Sequence, residues 1–290
     1  MRDWKAGSWR ALRQAGVCAA SCVVLAGCAG PRTDHGLDID TSRSAQAHSS
    51  RVQYIVLHYT AAPSARSLDL LTGHKVSSHY VITDEANAKI YQLVDESRSA
   101  WHAGQSDWYG RSGINANAIG IEIVNPGRIS GPGGTATWPP YSASQQARTI
   151  ALVADIAKRH DIAPENIVGH SDIAPQRKID PGPQFFWRAM AQAGLGRWFD
   201  ETLAMQQTQA FELQGVPDVA WFQRQLAARG YTVPQHGTLD RATQNVIAAF
   251  QMHYRPARYD GTPDAETAAI LTAMPLNTGV AQPRPAQDAQ

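Results

Sequence analysis

The sequence predicts an α/β fold, with a central mixed β-sheet flanked by helices and a small three-helix domain near the carboxyl terminus. Between residues 51 and 205, short apolar runs typical of buried strands alternate with helical periodicities, which is the pattern of a sheet covered by helices. Between residues 213 and 274, three short helices bounded by capping residues predict a small bundle with a thin core.

In the larger domain, apolar runs at residues 54–57, 79–83, 89–94, 119–124 and 167–169 predict strands. Helices are predicted at residues 67–74 and 144–160, and weakly at 187–199. The segment 128–140 is rich in glycine and proline, which favours an irregular loop at a cleft.

The smaller domain follows a glutamine-rich connector at residues 205–209. Its first predicted helix, 219–229, ends at Gly230, a favourable residue after a helix. Asp240 and Asp264 cap the second and third helices.

The first 28 residues predict a lipoprotein signal peptide. A basic start is followed by the apolar stretch 15–26, which is too short to span a membrane. Residues 25–28, Leu-Ala-Gly-Cys, resemble a lipobox, where cleavage leaves Cys28 as a lipid-bearing amino terminus that anchors stably in a membrane. Ala29 in place of aspartate is the pattern associated with the outer membrane. The alternative is an ordinary signal peptide with a chance cysteine.

Composition and charge indicate which segments lack a fold, what stabilises the protein and which partners to expect. Residues 29–50 predict a flexible tether, and residues 275–290 a disordered tail. All three cysteines lie in the first 28 residues, so stability must come from the core and from any bound metal rather than from disulfides. The formal net charge of +1 gives no reason to expect a nucleic-acid partner. We expect a monomer.

Two histidines and an aspartate stand where the chain could hold one catalytic Zn²⁺. His58 and His170 each follow an apolar strand, and Asp180 lies in a segment stiffened by Pro181 and Pro183. Zinc with two imidazoles, one carboxylate and an open water position is typical of a hydrolytic site. Spacing alone leaves open that each histidine is an ordinary core or surface residue.

Several sequence blocks occur together and in order. They are IVLHYT at 55–60, VSSHYVI at 76–82, AWHAG at 100–104, IGIEIVN at 119–125, and GHSDIAP with KIDPGP at 169–175 and 178–183. Together they resemble the type-2 N-acetylmuramoyl-L-alanine amidase family, which shares its fold with the peptidoglycan recognition proteins. The smaller domain resembles a peptidoglycan-binding three-helix domain, and with the lipobox it resembles the outer-membrane lipoprotein branch of that family.

The resemblance implies that His58, His170 and Asp180 are the zinc ligands. It also implies catalytic roles for Glu122, as the base that takes a proton from water, and for Lys178, which would stabilise charge on the carbonyl oxygen. The alternative for Glu122 is a carboxylate that faces inward from a strand and pairs with a cation. The alternative for Lys178 is a solvated lysine in a loop.

The resemblance also implies four candidate substrate-binding residues, and simple packing is the alternative for His79, Trp101 and His102. They are His79, Trp101, His102 and Asn125. Four other histidines, His74, His160, His236 and His253, are predicted to be surface residues.

The activity implied by the resemblance is zinc-dependent hydrolysis of the amide bond between N-acetylmuramic acid and L-alanine of the stem peptide. The substrate would be peptidoglycan or muropeptides. The protein would be an outer-membrane lipoprotein facing the periplasm and held in the membrane through Cys28. One alternative is a peptidoglycan-binding lipoprotein without catalysis. Another is a zinc peptidase that cuts within the stem peptide.

Overall fold

The computed structural model describes residue 37 and residues 39–276. The predicted signal peptide and lipobox at residues 1–28, and most of the predicted tail, lie outside the described residues. The chain divides into two units, Met1–Ser49 and Ser50–Gln290. The described residues of the first unit are exposed and form neither helix nor strand. Across the described part of the chain, we find no helix with the length and apolar character needed to cross a bilayer.

Five strands of the second unit form its central sheet: β1 (Tyr54–Tyr59), β2 (Tyr80–Ile82), β3 (Ile90–Gln92), β6 (Ala118–Ile123) and β9 (Ile167–Gly169). Their order is β3-β2-β6-β1-β9. Strand β1 pairs in parallel with β6 and β9, β2 in parallel with β6, and β3 antiparallel with β2. The predicted mixed sheet is therefore confirmed, and the carboxyl ends of its parallel strands meet at one edge.

Two hairpins of two-residue strands lie outside this sheet. One joins β4 (Asp107–Trp108) to β5 (Arg111–Ser112), and the other joins β7 (Ile129–Ser130) to β8 (Ala136–Thr137). The second hairpin lies within the glycine- and proline-rich segment predicted to be irregular.

The helices of the second unit are α1 (Ser64–Leu71), α2 (Ala143–His160), α3 (His170–Ile173), α4 (Trp187–Gln192), α5 (Glu201–Gln214), α6 (Val219–Ala227), α7 (Arg241–Tyr254) and α8 (Ala265–Ala273). The side chains of Asp218, Asp240 and Asp264 cap α6, α7 and α8, each accepting a hydrogen bond from a backbone N–H in the first turn. The three helices predicted near the carboxyl terminus are therefore present.

The two faces of the sheet pack against different helices. Ile55 and Leu57 of β1 lie with Val153 and Ile156 of α2 in one core. Because side chains alternate along a strand, Val56 points to the opposite face, where it joins a core that includes residues of α6, α7 and α8. The next residue on that second face of β1 is His58, so this face leads directly to the candidate metal site.

The connector predicted at residues 205–209 lies inside α5. Glutamine is a good helix former. The carboxylate of Asp200 caps the helix by accepting from Leu203 N–H, and Gly215, with a φ of 101°, ends it. Helix α5 packs along α8, so the chain passes between its two predicted domains as a continuous helix.

His253 is buried, which corrects its prediction as a surface residue. Its side chain is 5% exposed and lies between the rings of Trp187 and Tyr254, with centroid distances of 3.8 and 4.0 Å. The surface prediction is also incomplete for His160, which is half-buried. His74 and His236 are exposed, as predicted.

Candidate metal centre and active site

The structure brings His58, His170 and Asp180 together at the carboxyl edge of the sheet. His58 lies near the end of β1, and His170 is the first residue of α3, directly after β9. Nδ1 of His58 is 2.9 Å and Nδ1 of His170 is 3.0 Å from the same carboxylate oxygen, Oδ2 of Asp180. One potential ligand atom from each residue lies within 4.8 Å of the others, so the three could hold one metal ion.

The outer nitrogen of each imidazole meets its own partner. Nε2 of His170 is 3.1 Å from the carbonyl oxygen of Ala103, and Nε2 of His58 is 3.0 Å from Nδ1 of His102. Since a carbonyl only accepts hydrogen bonds, we assign the proton of the neutral form of His170 to Nε2. In that form Nδ1 carries a lone pair that can bind a metal. Partners of this kind orient metal-binding histidines.

The electrostatics of the cluster favour a cation at its centre. Burial, together with the neighbouring charge of His170, lowers the pKa of His58 to about 4, so its ring is neutral at pH 7. Burial alone raises the pKa of Asp180, but the contacts with His170 and His58 outweigh it and hold that pKa below its usual range. The ionised carboxylate of Asp180 and the two Nδ1 atoms are therefore placed to share one cation. Two imidazoles and a carboxylate suit Zn²⁺.

Glu122 stands beside His58 on the neighbouring strand. The parallel register pairs these two residues, so their side chains leave the same face of the sheet at a strand spacing of about 4.8 Å. Oε2 of Glu122 is buried without a hydrogen-bond partner among the described residues. Burial, followed by the charge of Asp180, raises the pKa of Glu122 well above its usual range, and Lys178 partly offsets this. Such a carboxyl group is suited to proton transfer.

A cleft of about 400 Å³ opens beside the cluster. Among the predicted site residues, its lining includes Glu122, Lys178 and His102 as well as the three candidate ligands. Trp101 also lines it and is 60% exposed. Other lining residues are Tyr59, Thr60, Ala61, Ser67, Leu70, Leu71, Val76, Ser77, Arg177 and Ile179.

His79 and Asn125 are not in the lining of this cleft. His79 is fully buried, with Nδ1 accepting from Gly120 N–H at 3.0 Å and Nε2 donating to the Arg98 carbonyl at 3.1 Å. The Asn125 side chain accepts from Gly127 N–H and donates to the Pro139 carbonyl. Both side chains hydrogen-bond to backbone groups, so we assign them a structural role around the site.

His102 has a contact that the sequence did not indicate, the hydrogen bond to His58. Its ring lies directly over Gly120 of β6, where an added Cβ would come 2.4 Å from Cγ of the ring. Sequence reasoning also missed Arg177, whose guanidinium donates to the carbonyls of Ala103 and Gln105. The Ala103 carbonyl leaves no sequence signal, because every residue has one.

We expect Gly120→Ala to displace the His102 ring and loosen His58, which should lower kcat by about 10- to 100-fold, the usual cost of losing an outer partner of a metal ligand. Hydrolysis rates and bound zinc, measured on the purified variant, check this. Ile121→Val, which removes one methylene from the opposite face of β6, is the control for general loosening. Wild-type kcat and zinc content in Gly120→Ala would contradict the role assigned to His102.

Comparison with known proteins agrees with this geometry. Residues 48–183 match the family described as N-acetylmuramoyl-L-alanine amidase, and residues 215–271 match a family described as putative peptidoglycan binding domain. The chain is 42% identical over 268 residues to N-acetylmuramoyl-L-alanine amidase AmiD of Escherichia coli K12, covering 88% of this chain and 95% of that protein.

Two solved structures are similar over most of their length. AmiD from E. coli, in complex with the substrate anhydro-N-acetylmuramic acid-L-Ala-D-γ-Glu-L-Lys, has a TM-score of 0.75 and 41% identity, covering 83% of this chain and 95% of that one. AMPDH3 from Pseudomonas aeruginosa, in complex with anhydromuramic pentapeptide, has a TM-score of 0.74 and 39% identity, covering 83% and 97%. The family expected from the sequence blocks is confirmed: the chain belongs to the N-acetylmuramoyl-L-alanine amidase family.

Proposed function

We propose that this protein is a zinc-dependent N-acetylmuramoyl-L-alanine amidase. It hydrolyses the amide bond between the lactyl group of N-acetylmuramic acid and L-alanine of the stem peptide, in peptidoglycan or in muropeptides. The observation that carries this is the convergence of two imidazole Nδ1 atoms and one carboxylate oxygen beside Glu122 in an open cleft. The substrates bound to AmiD and AMPDH3 supply the substrate class.

His58 and His170 would hold the zinc ion through Nδ1, and Asp180 through a carboxylate oxygen. When bound, zinc supplies a water of lowered pKa and polarises the scissile carbonyl. The Ala103 carbonyl and His102 keep the two imidazoles in the orientation that presents Nδ1. Burial lowers the pKa of His58 and so keeps its ring neutral, as metal ligation requires.

Glu122 accepts a proton from the attacking water as the new C–O bond forms. It then delivers this proton to the L-alanine nitrogen as the C–N bond breaks. The second proton of the water passes from the new carboxyl group to the released amine, so that the products are a lactyl carboxylate and an L-alanine ammonium group. Its raised pKa suits both halves of this exchange. Lys178, half-buried in the cleft wall, places a cation where negative charge develops on the carbonyl oxygen.

Analysis of the products tests this function. The zinc-loaded protein is incubated with a soluble anhydro-muropeptide and with purified peptidoglycan, and the fragments are identified by mass spectrometry. The proposal predicts free stem peptide with an L-alanine amino terminus and peptide-free glycan. Fragments cut within the stem peptide would instead indicate a zinc peptidase. Binding to the wall without fragments would indicate a non-catalytic peptidoglycan-binding lipoprotein.

We also propose that Cys28 carries lipid and anchors the protein in the outer membrane, facing the periplasm. The support is the sequence of residues 25–28. Cys28→Ser is expected to abolish incorporation of labelled fatty acid and to lower the membrane-bound fraction, as measured by cell fractionation. Cys22→Ser, in the same predicted signal segment, should leave both unchanged. Lipid labelling that persists in Cys28→Ser would refute the anchor.

A further inference from the structure

Both the second histidine and the aspartate of the candidate metal site lie on one short stretch, residues 169–182, which we call the ligand segment. It contains the four-residue helix α3, with His170 at its start, and then irregular backbone up to Asp180. A single helical turn has little stability of its own. The position of these two ligands therefore depends on what packs against the segment.

Asp172 is the first point where other residues hold the ligand segment. This side chain is 1% exposed, and its Oδ2 accepts from the backbone N–H of Gly169 at 2.8 Å. Oδ2 also lies 2.8 Å from Nδ1 of His253, and Oδ1 accepts from the Tyr231 hydroxyl at 2.8 Å. Asp172 thereby connects the backbone just before His170 to two residues near the carboxyl terminus.

Gln176 is the second point, in the turn between the two ligands. Its Nε2 donates to the carbonyl of Ala242, and its Oε1 accepts from Nδ2 of Asn245, both at 3.0 Å. Ala242 and Asn245 belong to the first turns of α7. The same helix thus holds the ligand segment at Gln176 and, through His253, at Asp172.

Gly182, just after Asp180, is the third point. An added Cβ on Gly182 would come 2.8 Å from the ring of Trp138, so this ring packs directly on the backbone there. Nε1–H of Trp138 donates to the hydroxyl of Tyr259 at 2.7 Å. Tyr259 lies between α7 and α8.

We propose that residues 218–274, here called the helical module, position the metal ligands in addition to any contact they make with the cell wall. This rests on the proposed zinc amidase function. The module hydrogen-bonds directly to Asp172 and Gln176, both between the two ligands. It also reaches the backbone on either side indirectly, through Asp172 to Gly169 and through Trp138 to Gly182. These contacts limit the movement of His170 and Asp180. Loss of these contacts should weaken zinc binding and slow hydrolysis even of soluble substrates, which need no wall anchor.

The test uses full-length variants that remove one contact each. Tyr231→Phe removes a hydroxyl, and His253→Leu removes the donor to Asp172. We expect each to weaken zinc binding about tenfold. This is the low end of the range for residues that hydrogen-bond directly to a metal ligand, because Tyr231 and His253 act on His170 only through Asp172. Zinc affinity is measured on the apo-protein by competition with a chelator. On a soluble anhydro-muropeptide, kcat should fall while KM changes little.

A conservative variant and two controls separate positioning from general stability. His253→Asn keeps a side-chain N–H near the place of Nδ1 and should restore most of the zinc affinity lost in His253→Leu. Gln251→Leu removes hydrogen bonds to Gly261, Thr262 and Thr267 within the module. It should lower the thermal midpoint of unfolding without changing zinc affinity. Tyr254→Phe, the same substitution next to His253 in α7, should leave zinc affinity unchanged.

Wild-type zinc affinity and wild-type kcat on the soluble substrate, in both Tyr231→Phe and His253→Leu, would overturn the positioning role. A fall in zinc affinity in Gln251→Leu as large as in His253→Leu would also overturn it, because the effect would then follow stability alone. Failure of the proposed function looks different: the wild-type protein itself would neither bind zinc nor release stem peptides.

Discussion

Glu122→Gln is expected to reduce kcat by about 100- to 10,000-fold, the usual contribution of a general acid–base group, with zinc content unchanged. Glutamine keeps the shape of the side chain but can neither take a proton from water nor deliver one to the leaving nitrogen. Because the parallel register sets Glu122 beside His58 rather than among the candidate ligands, the metal site should survive the substitution.

The measurement is single-turnover hydrolysis of a soluble muropeptide, with metal analysis of the same sample. Glu212→Gln, on the exposed side of α5 and outside the cleft, is the matched control and should behave as the wild type. If Glu122→Gln retains most of the wild-type rate, another group must handle the proton, and Glu122 is not the general base. Peptidoglycan binding by this variant should remain intact.

Asp180→Ala should lose bound zinc and fall below the detection limit for hydrolysis. Oδ2 of Asp180 faces both Nδ1 atoms, so its removal takes away one candidate ligand and the negative charge that attracts the cation. We expect affinity for zinc to drop more than about 100-fold, beyond the loss typical of an outer-shell partner.

Chelator competition and the shift of the thermal midpoint on adding zinc both report this loss. Ligand binding to the native state raises its stability, so the wild type should gain stability with zinc and Asp180→Ala should not. Asp69→Ala, an exposed carboxylate on α1, is the control that should leave both readouts unchanged. Stoichiometric zinc in Asp180→Ala would show that another group completes the site.

Much of the site could be predicted from sequence because the candidate histidine ligands lie at the carboxyl ends of apolar runs that predict strands. His58 lies near the end of β1 and His170 directly follows β9, and the carboxyl ends of these parallel strands lie at one edge of the sheet. The family blocks then added Glu122 and Lys178 to the three candidate ligands. Glu122 and His58 are far apart in the sequence, and their spacing along the chain does not indicate that they are close. They are neighbours because the parallel register of β1 and β6 pairs them.

Contacts through backbone and between distant elements could not be predicted in this way. The Ala103 carbonyl that holds His170 is invisible in a sequence. His253 carried a usable signal, since it lies seven residues after Val246 on the apolar stripe of α7. The glutamines at residues 205–209 indicated a connector but not its conformation, which is one helix with its ends marked by Asp200 and Gly215.

Helix α5 joins the two predicted domains without a break, and helices α6 to α8 pack on the sheet. This arrangement couples the helical module to the active site. A module attached by a flexible linker could bind the wall and leave the active site unaffected. In this chain Trp187 of α4 stacks on His253 of α7, and the core of the helical module continues into the sheet face that carries His58. Variants in the module are therefore expected to report on catalysis as well as on wall binding.

Anomalous diffraction at the zinc absorption edge, from crystals of the wild-type protein, tests the metal site most directly. We expect one peak at about 2.0–2.2 Å from Nδ1 of His58, Nδ1 of His170 and a carboxylate oxygen of Asp180, with solvent in the fourth position. No peak there, ligation through Nε2, or a fourth ligand from the protein would contradict it.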